Sequence, residues 1–155
     1  MPGFAALLRN SLVSGSVASA VNAVVLGALG KAEGVSPVQP INATSHWLLG
    51  EDAGKVRDID FKHTATGLGT HHAACVFWAM LFEIFRSAAP NAGPGRIARD
   101  AVAVSVIAAA IDYGLMPKRL APGWEEPLPI RSVAGGFAGL ALGLALGGLV
   151  NRARR

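Results

Sequence analysis

Charged residues in this chain gather in clusters, and long stretches without any run between them. Arg9 and Lys31 are separated by 21 uncharged residues, Lys62 and Glu83 by 20, and Arg131 and Arg152 by another 20. About 20 consecutive apolar residues cross a bilayer core of about 30 Å, so each stretch reads as a transmembrane helix. A fourth stretch, from about Arg96 to Met116, is interrupted by Asp100 and Asp112. Asp100 falls in its first turn, at the surface. Asp112 falls towards the other end, where a carboxylate costs less than the roughly 2.5–3.5 kcal/mol of mid-bilayer. The pattern predicts helices at about 8–30, 63–87, 96–116 and 129–151. The expected fold is all-α, an integral membrane four-helix bundle forming one domain over 1–155.

The connections refine that picture. SAAPNAGPG after the second helix is dense in helix breakers and predicts a tight antiparallel hairpin between helices 2 and 3. The connection at 31–62 is too long for a plain turn and contains VQPINATSHWLLGED. Pro40 can open a short helix there and Gly50 close it, giving an interfacial segment over about 40–50 with Ile41, Trp47, Leu48 and Leu49 on its apolar side. Trp47 and Trp124 fall on the same side of the membrane and are expected as interface anchors in an aromatic belt. Asn42-Ala43-Thr44 matches a glycosylation acceptor, which has meaning only in eukaryotic secretion. Residues 1–30 also suggest a signal peptide, but their apolar run exceeds the usual ~7–15 residues, which favours a retained helix.

Composition agrees with a membrane solvent, since 52% of residues are hydrophobic and 15% charged, against about 25% charged in ordinary soluble domains. The net charge of +4 raises the question of nucleic acid. No basic run is interleaved with aromatics, and the positive charges flank the apolar spans, so the bilayer is the expected partner and nucleic acid is not. Four spans put both termini on one face, with Arg9, Arg86, Arg96, Arg99, Arg152, Arg154 and Arg155. The opposite face carries as many Lys and Arg residues but matches them with acids. The arginines set tight against helix ends, and the closing NRARR, favour cytoplasmic termini. Ala, Gly and Arg usage suggests a GC-rich bacterial genome, hence a multi-pass protein of the bacterial inner membrane.

Helix 4 carries Gly135, Gly139, Gly143 and Gly147 at a spacing of four, one continuous groove without side chains. Helix 1 offers a strip of small residues at Ser11, Gly15, Ser19, Ala23 and Gly27. The two strips are expected to meet, within one chain or between copies, which makes a homo-oligomer or a membrane-protein partner the expected association.

Polar residues inside the spans carry the candidate chemistry. In GTHHAACVFWAMLFE, His71 and His72 precede Cys75, the one cysteine of the chain. At 1.5 Å per residue, His71 and Asn22 both lie about 13 Å from the same membrane boundary, and Asp112 roughly 8 Å from it. A cluster of Asn22, His71, His72 and Asp112 therefore forms in one half of the bilayer, with a histidine hydrogen-bonded to Asp112 or Asn22. Three roles are open to it: structural glue between helices, proton handling with Asp112 as counter-ion, or metal binding by His71, Cys75 and His63, with His72, His46 or Asp112 as further ligands. No cofactor is expected under the first two, and a transition-metal ion under the third. Glu83 lies at the opposite boundary beside Arg86 and reads as an interfacial ion pair. There is no nucleophile elbow, HExxH, Walker loop or plausible carboxylate pair, and Thr64, Thr66 and Thr70 read as hydroxyls satisfying their own helix, so the chain is not expected to be an enzyme.

From GTHHAACVFWAMLFEIF to AAAIDYGLMPKRLAPGW the chain resembles small bacterial inner-membrane proteins of a domain-of-unknown-function family, one member of which is linked to acid resistance. The features that carry the likeness are His71, Glu83, Asp112, Leu115-Met116 and Pro122-Gly123-Trp124. Asp112 stands where that family has a histidine. The resemblance implies a membrane location and a role in envelope or pH stress. The leading expectation is a non-enzymatic structural or accessory component of the envelope, and the alternative is a small proton- or metal-handling transporter built on the His/Asp/Asn cluster.

Overall fold

The computed structural model describes residues 3–154, and Arg155, counted above among the terminal charges, lies outside them. The described residues contain no strand. They form α1 (Phe4–Ala32), α2 (Gln39–Thr44), α3 (His46–Leu49), α4 (Thr66–Ser87), α5 (Pro94–Gly114) and α6 (Ile130–Ala153). Glu51–Lys55 and Lys118–Leu120 are 3₁₀ turns, and a π-helical turn at Phe61–Ala65 leads directly into α4. Pro94 sits in the first turn of α5, where its missing N–H costs no helical hydrogen bond.

Helix α1 packs against both α4 and α6, and α5 packs against α6 and, over a shorter stretch, α4. Leu26, Phe82, Ile97, Val104 and Leu144 fill the core between them. By contrast Val24, Phe77, Val106 and Leu142 stand exposed on the outer faces of the long helices. Three helices are long and apolar enough to cross a membrane: α1, α4 together with its leading turn (Phe61–Ser87), and α6. The fourth expected span is not among them. Although α5 has 21 residues, Arg96, Arg99, Asp100 and Asp112 all lie along it and dilute its apolar character.

The close approach of α1 and α6 is built on glycine. A Cβ added at Gly143 would lie 2.5 Å from the Ala18 Cα, one at Gly147 2.5 Å from the Ser14 Cα, and one at Gly139 2.6 Å from Asn22 Oδ1. Gly135 sits against Leu29. The face that α1 presents to these glycines is therefore Ser14, Ala18, Asn22 and Leu29, and not the expected strip. Gly15 faces Val76 of α4, the Ser19 carbonyl meets His71, and Gly27 lies against Pro37. The physical reason is periodicity: α1 carries small residues on two faces about 100° apart, and spacing alone does not say which face meets which neighbour.

Helix α2 departs from expectation, while Leu48 of α3 stands exposed. Every residue of α2 is buried, so it is a plug inside the protein, not a helix lying in an interface. Gly67 lets α4 approach so near that an added Cβ would collide with the Ile41 carbonyl. Thr44 Oγ1 donates to the Ile41 and Gly67 carbonyls (2.7 and 2.8 Å). Asn42 Nδ2 donates to the Val56 and Asp58 carbonyls, both at 3.0 Å, and its Oδ1 accepts from Thr64 at 2.7 Å. Gln39 and Asn42 thus satisfy backbone that would otherwise be orphaned in the loop at 51–60.

Candidate functional site

A cavity of about 390 Å³ opens where the plug meets the long helices. Asn22 of α1, His71 and Trp78 of α4, Asp112 of α5, Met116 just beyond it, and Phe137 of α6 contribute to its walls. Thr44, Trp47 and the segment Leu120 to Trp124 close one end. All three tryptophans of the chain, Trp47, Trp78 and Trp124, line it.

His71 is 3% exposed, and its Nε2 lies 3.3 Å from the Ser19 carbonyl oxygen and 3.8 Å from Cys75 Sγ. With Nε2–H donating to that carbonyl, the neutral ring keeps Nδ1 as an acceptor. Its ring centroid is 6.2 Å from that of Trp124, which in turn lies 5.3 Å from Phe137. Ser19 and Asn22 are one turn apart on α1, so Asn22 sits at the level of His71. Asn22 is 1% exposed, yet neither its Nδ2 nor its Oδ1 meets a hydrogen-bond partner. Trp124 Nε1 is likewise buried and unpartnered. Each such group costs about 1–3 kcal/mol when left unsatisfied. The indole of Trp47 is different: its Nε1 donates to the Ala121 carbonyl at 2.9 Å, tying α3 to the segment before α6.

Of the expected cluster, the structure brings Asn22, His71 and Asp112 to one cavity, while His72 does not line it. The expected hydrogen bond from histidine to Asp112 or Asn22 is replaced by the one to the Ser19 carbonyl, because α1 and α4 approach closely enough at Gly15 for a backbone acceptor to reach the ring. Cys75 lies beside His71, but His63 is paired with Asp60 at the turn that leads into α4 and His46 with the Ala43 carbonyl. Among the described residues no three His, Cys, Asp or Glu side chains gather as a metal site. Trp124, expected as an interface anchor, is 4% exposed and belongs to the cavity wall, and half-buried Trp47 lines the same space.

A second polar centre was only half legible in the sequence. Glu83 and Arg86, each 3% exposed, pair at 3.1 Å. Ser14 Oγ donates to Glu83 Oε1 at 2.6 Å, and Asn151 Nδ2 lies 3.0 Å from the same oxygen, 3.0 Å from Ser14 Oγ and 2.9 Å from the Asn10 carbonyl. The i, i+3 spacing of Glu83 and Arg86 announces the pair. Nothing in the local pattern announces that Ser14 and Asn151 complete it from α1 and α6. At the other end of the same helices, Arg131 (2.7 and 3.1 Å) and Ser132 (2.6 Å) donate to the Glu33 carboxylate. Those hydrogen bonds, Arg131 first, hold the Glu33 carboxyl below its ordinary pKa.

Compared with protein-family models, curated proteins and solved structures, the chain matches none, so its functional reading rests on this geometry.

Proposed function

We propose that the chain is a multi-pass protein of the bacterial inner membrane, with α5 as a fourth span and both termini cytoplasmic, acting as a non-enzymatic structural or accessory component of the envelope. One observation carries the reading: polarity is turned inward. Asn22, His71, Glu83, Arg86 and Asn151 are buried, while Val24, Phe77, Val106 and Leu142 face outward. In water that arrangement exposes apolar surface at a cost, whereas in a bilayer it is the stable one. The inner Glu83 network joins α1, α4 and α6, as structural glue does.

The test is to extract the tagged protein in mild detergent, then measure copurifying membrane protein and bound metal on the same sample. The reading expects a stoichiometric membrane-protein partner or self-association, and tolerance of Asp112→Asn. The ion-handling alternative draws support from Asn22, His71 and Asp112 sharing one cavity. Proton or metal flux in proteoliposomes that is abolished by Asp112→Asn, or stoichiometric metal lost with His71→Ala, puts the alternative first. Reporter fusions at the C-terminus that are active only outside the cytoplasm reverse the proposed orientation.

A further inference from the structure

We propose that the cavity between α4 and α5 is a binding site for a membrane-soluble ring compound bearing carbonyl oxygens, of the quinone class, held by the Asn22 carboxamide and the Trp124 indole N–H. The inference rests on the membrane reading only in that its ligand arrives through lipid.

Volume comes first. About 150 Å³ of apolar space is enough to admit benzene, and this cavity offers about 390 Å³, within the range of small-molecule sites. A substituted ring with the first part of a side chain fits that space, and a chain of waters does not suit walls made of Trp47, Phe77, Trp78 and Phe137. Flat aromatic walls favour a ring over an acyl chain, because stacked or edge contacts between rings add about 0.5–1.5 kcal/mol beyond area burial.

Polarity then selects the ring. Two residues that line this space, Asn22 and Trp124, carry buried donors, Nδ2 and Nε1, that have no partner within the protein. An indole N–H only donates. Its complement is an acceptor oxygen. A carbonyl on a ring supplies that acceptor, and a membrane-soluble hydrocarbon does not. Access is lateral: Phe77 of α4 and Met116 and Leu120 at the far side line the cavity and are also exposed at the surface, and α4 meets α5 over a shorter stretch than α1 meets α6.

Decylubiquinone is the probe, titrated into full-length protein in mild detergent while intrinsic fluorescence is read. Because all three tryptophans line the cavity, a bound quinone quenches the whole signal. The proposal expects saturable quenching that decanol, which has the chain without the ring, does not reverse. Ala74→Phe, which fills the cavity from half-buried Ala74 on α4, should abolish saturation with helicity retained. Asn22→Ala should weaken the affinity about tenfold, the loss of one buried hydrogen bond. Quenching that rises linearly and equally in wild type and Ala74→Phe overturns the site. Equal competition by decanol overturns the ring class in favour of an acyl chain, and unchanged affinity in Asn22→Ala overturns the role given to the carboxamide. Membrane extraction is scored before any titration, so failure of the membrane reading is seen separately from failure of this one.

Discussion

Gly143→Ala places one methyl group in the close seam between α1 and α6. The new Cβ would lie 2.5 Å from the Ala18 Cα and 3.0 Å from the Ala18 carbonyl oxygen. Carbon atoms rest at about 3.5–4.0 Å, so α1 and α6 must separate locally by about 1 Å. A gap of that size forfeits roughly a quarter to a half of each neighbouring dispersion contact. In hydrocarbon those contacts carry helix association, since no water is released. Overpacking of this kind costs about 1–3 kcal/mol, or about 5- to 150-fold in the unfolding equilibrium. The assay is reversible SDS-induced unfolding in mixed micelles, followed by circular dichroism. Gly69→Ala is the control, because its Cβ meets nothing within 4 Å and alanine is the better helix former by about 1 kcal/mol. Gly69→Ala should be neutral or stabilising, Gly143→Ala destabilised, and Gly143→Leu more so. A Gly143→Ala protein that unfolds with Gly69→Ala refutes the reasoning.

Other perturbations probe the remaining contacts. Arg86→Met strands the Glu83 carboxylate at 3% exposure and should cost about 3–5 kcal/mol, much of it recovered in Glu83→Gln/Arg86→Met; additive effects in that double-mutant cycle count against the buried pair. Asn42→Ala removes the tether of the Val56 and Asp58 carbonyls, worth about 1–2 kcal/mol of local stability, so limited trypsin digestion at Lys55 and Arg57 should quicken about 5- to 30-fold, against no change if the plug is held by apolar burial alone. The depressed pKa of Glu33, caused first by the Arg131 hydrogen bond and then by Ser132, means its contribution is present above its ordinary value of 4.5 and is lost as pH falls below that. Thermal unfolding should therefore separate Glu33→Gln from wild type at pH 7 and bring the two together in acid; a gap that widens in acid contradicts the sign.

Helices were legible because their length is written in the spacing of charges. The stretches bounded by Arg9 and Lys31 and by Arg131 and Arg152 set α1 and α6 to within a turn or so at each end. Which way a side chain faces is written less plainly. Trp124 reads as a belt residue because tryptophan suits an interface, yet Gly136 opens space for its ring beside Leu26 and it turns inward. The segment over 40–50 reads as interfacial because Ile41 and Trp47 are apolar, but Asn42 and Thr44 of α2 satisfy the backbone of the following loop and of α4, which draws that helix inside. His71 shows the same limit: its burial inside the bundle was readable, and its partner, a backbone carbonyl made reachable by Gly15, was not.

Collision of spin labels with oxygen and with a water-soluble nickel chelate reports directly which solvent surrounds the outer helix faces. Labels placed on cysteines at Val24, Val106 and Leu142, which are 74%, 62% and 52% exposed, in a Cys75→Ala background in lipid vesicles, supply the test. The account predicts high oxygen and low nickel accessibility at all three, with Val106 reporting on α5 as a span. High nickel accessibility at Val24 and Leu142 would place water against α1 and α6 and contradict the membrane reading.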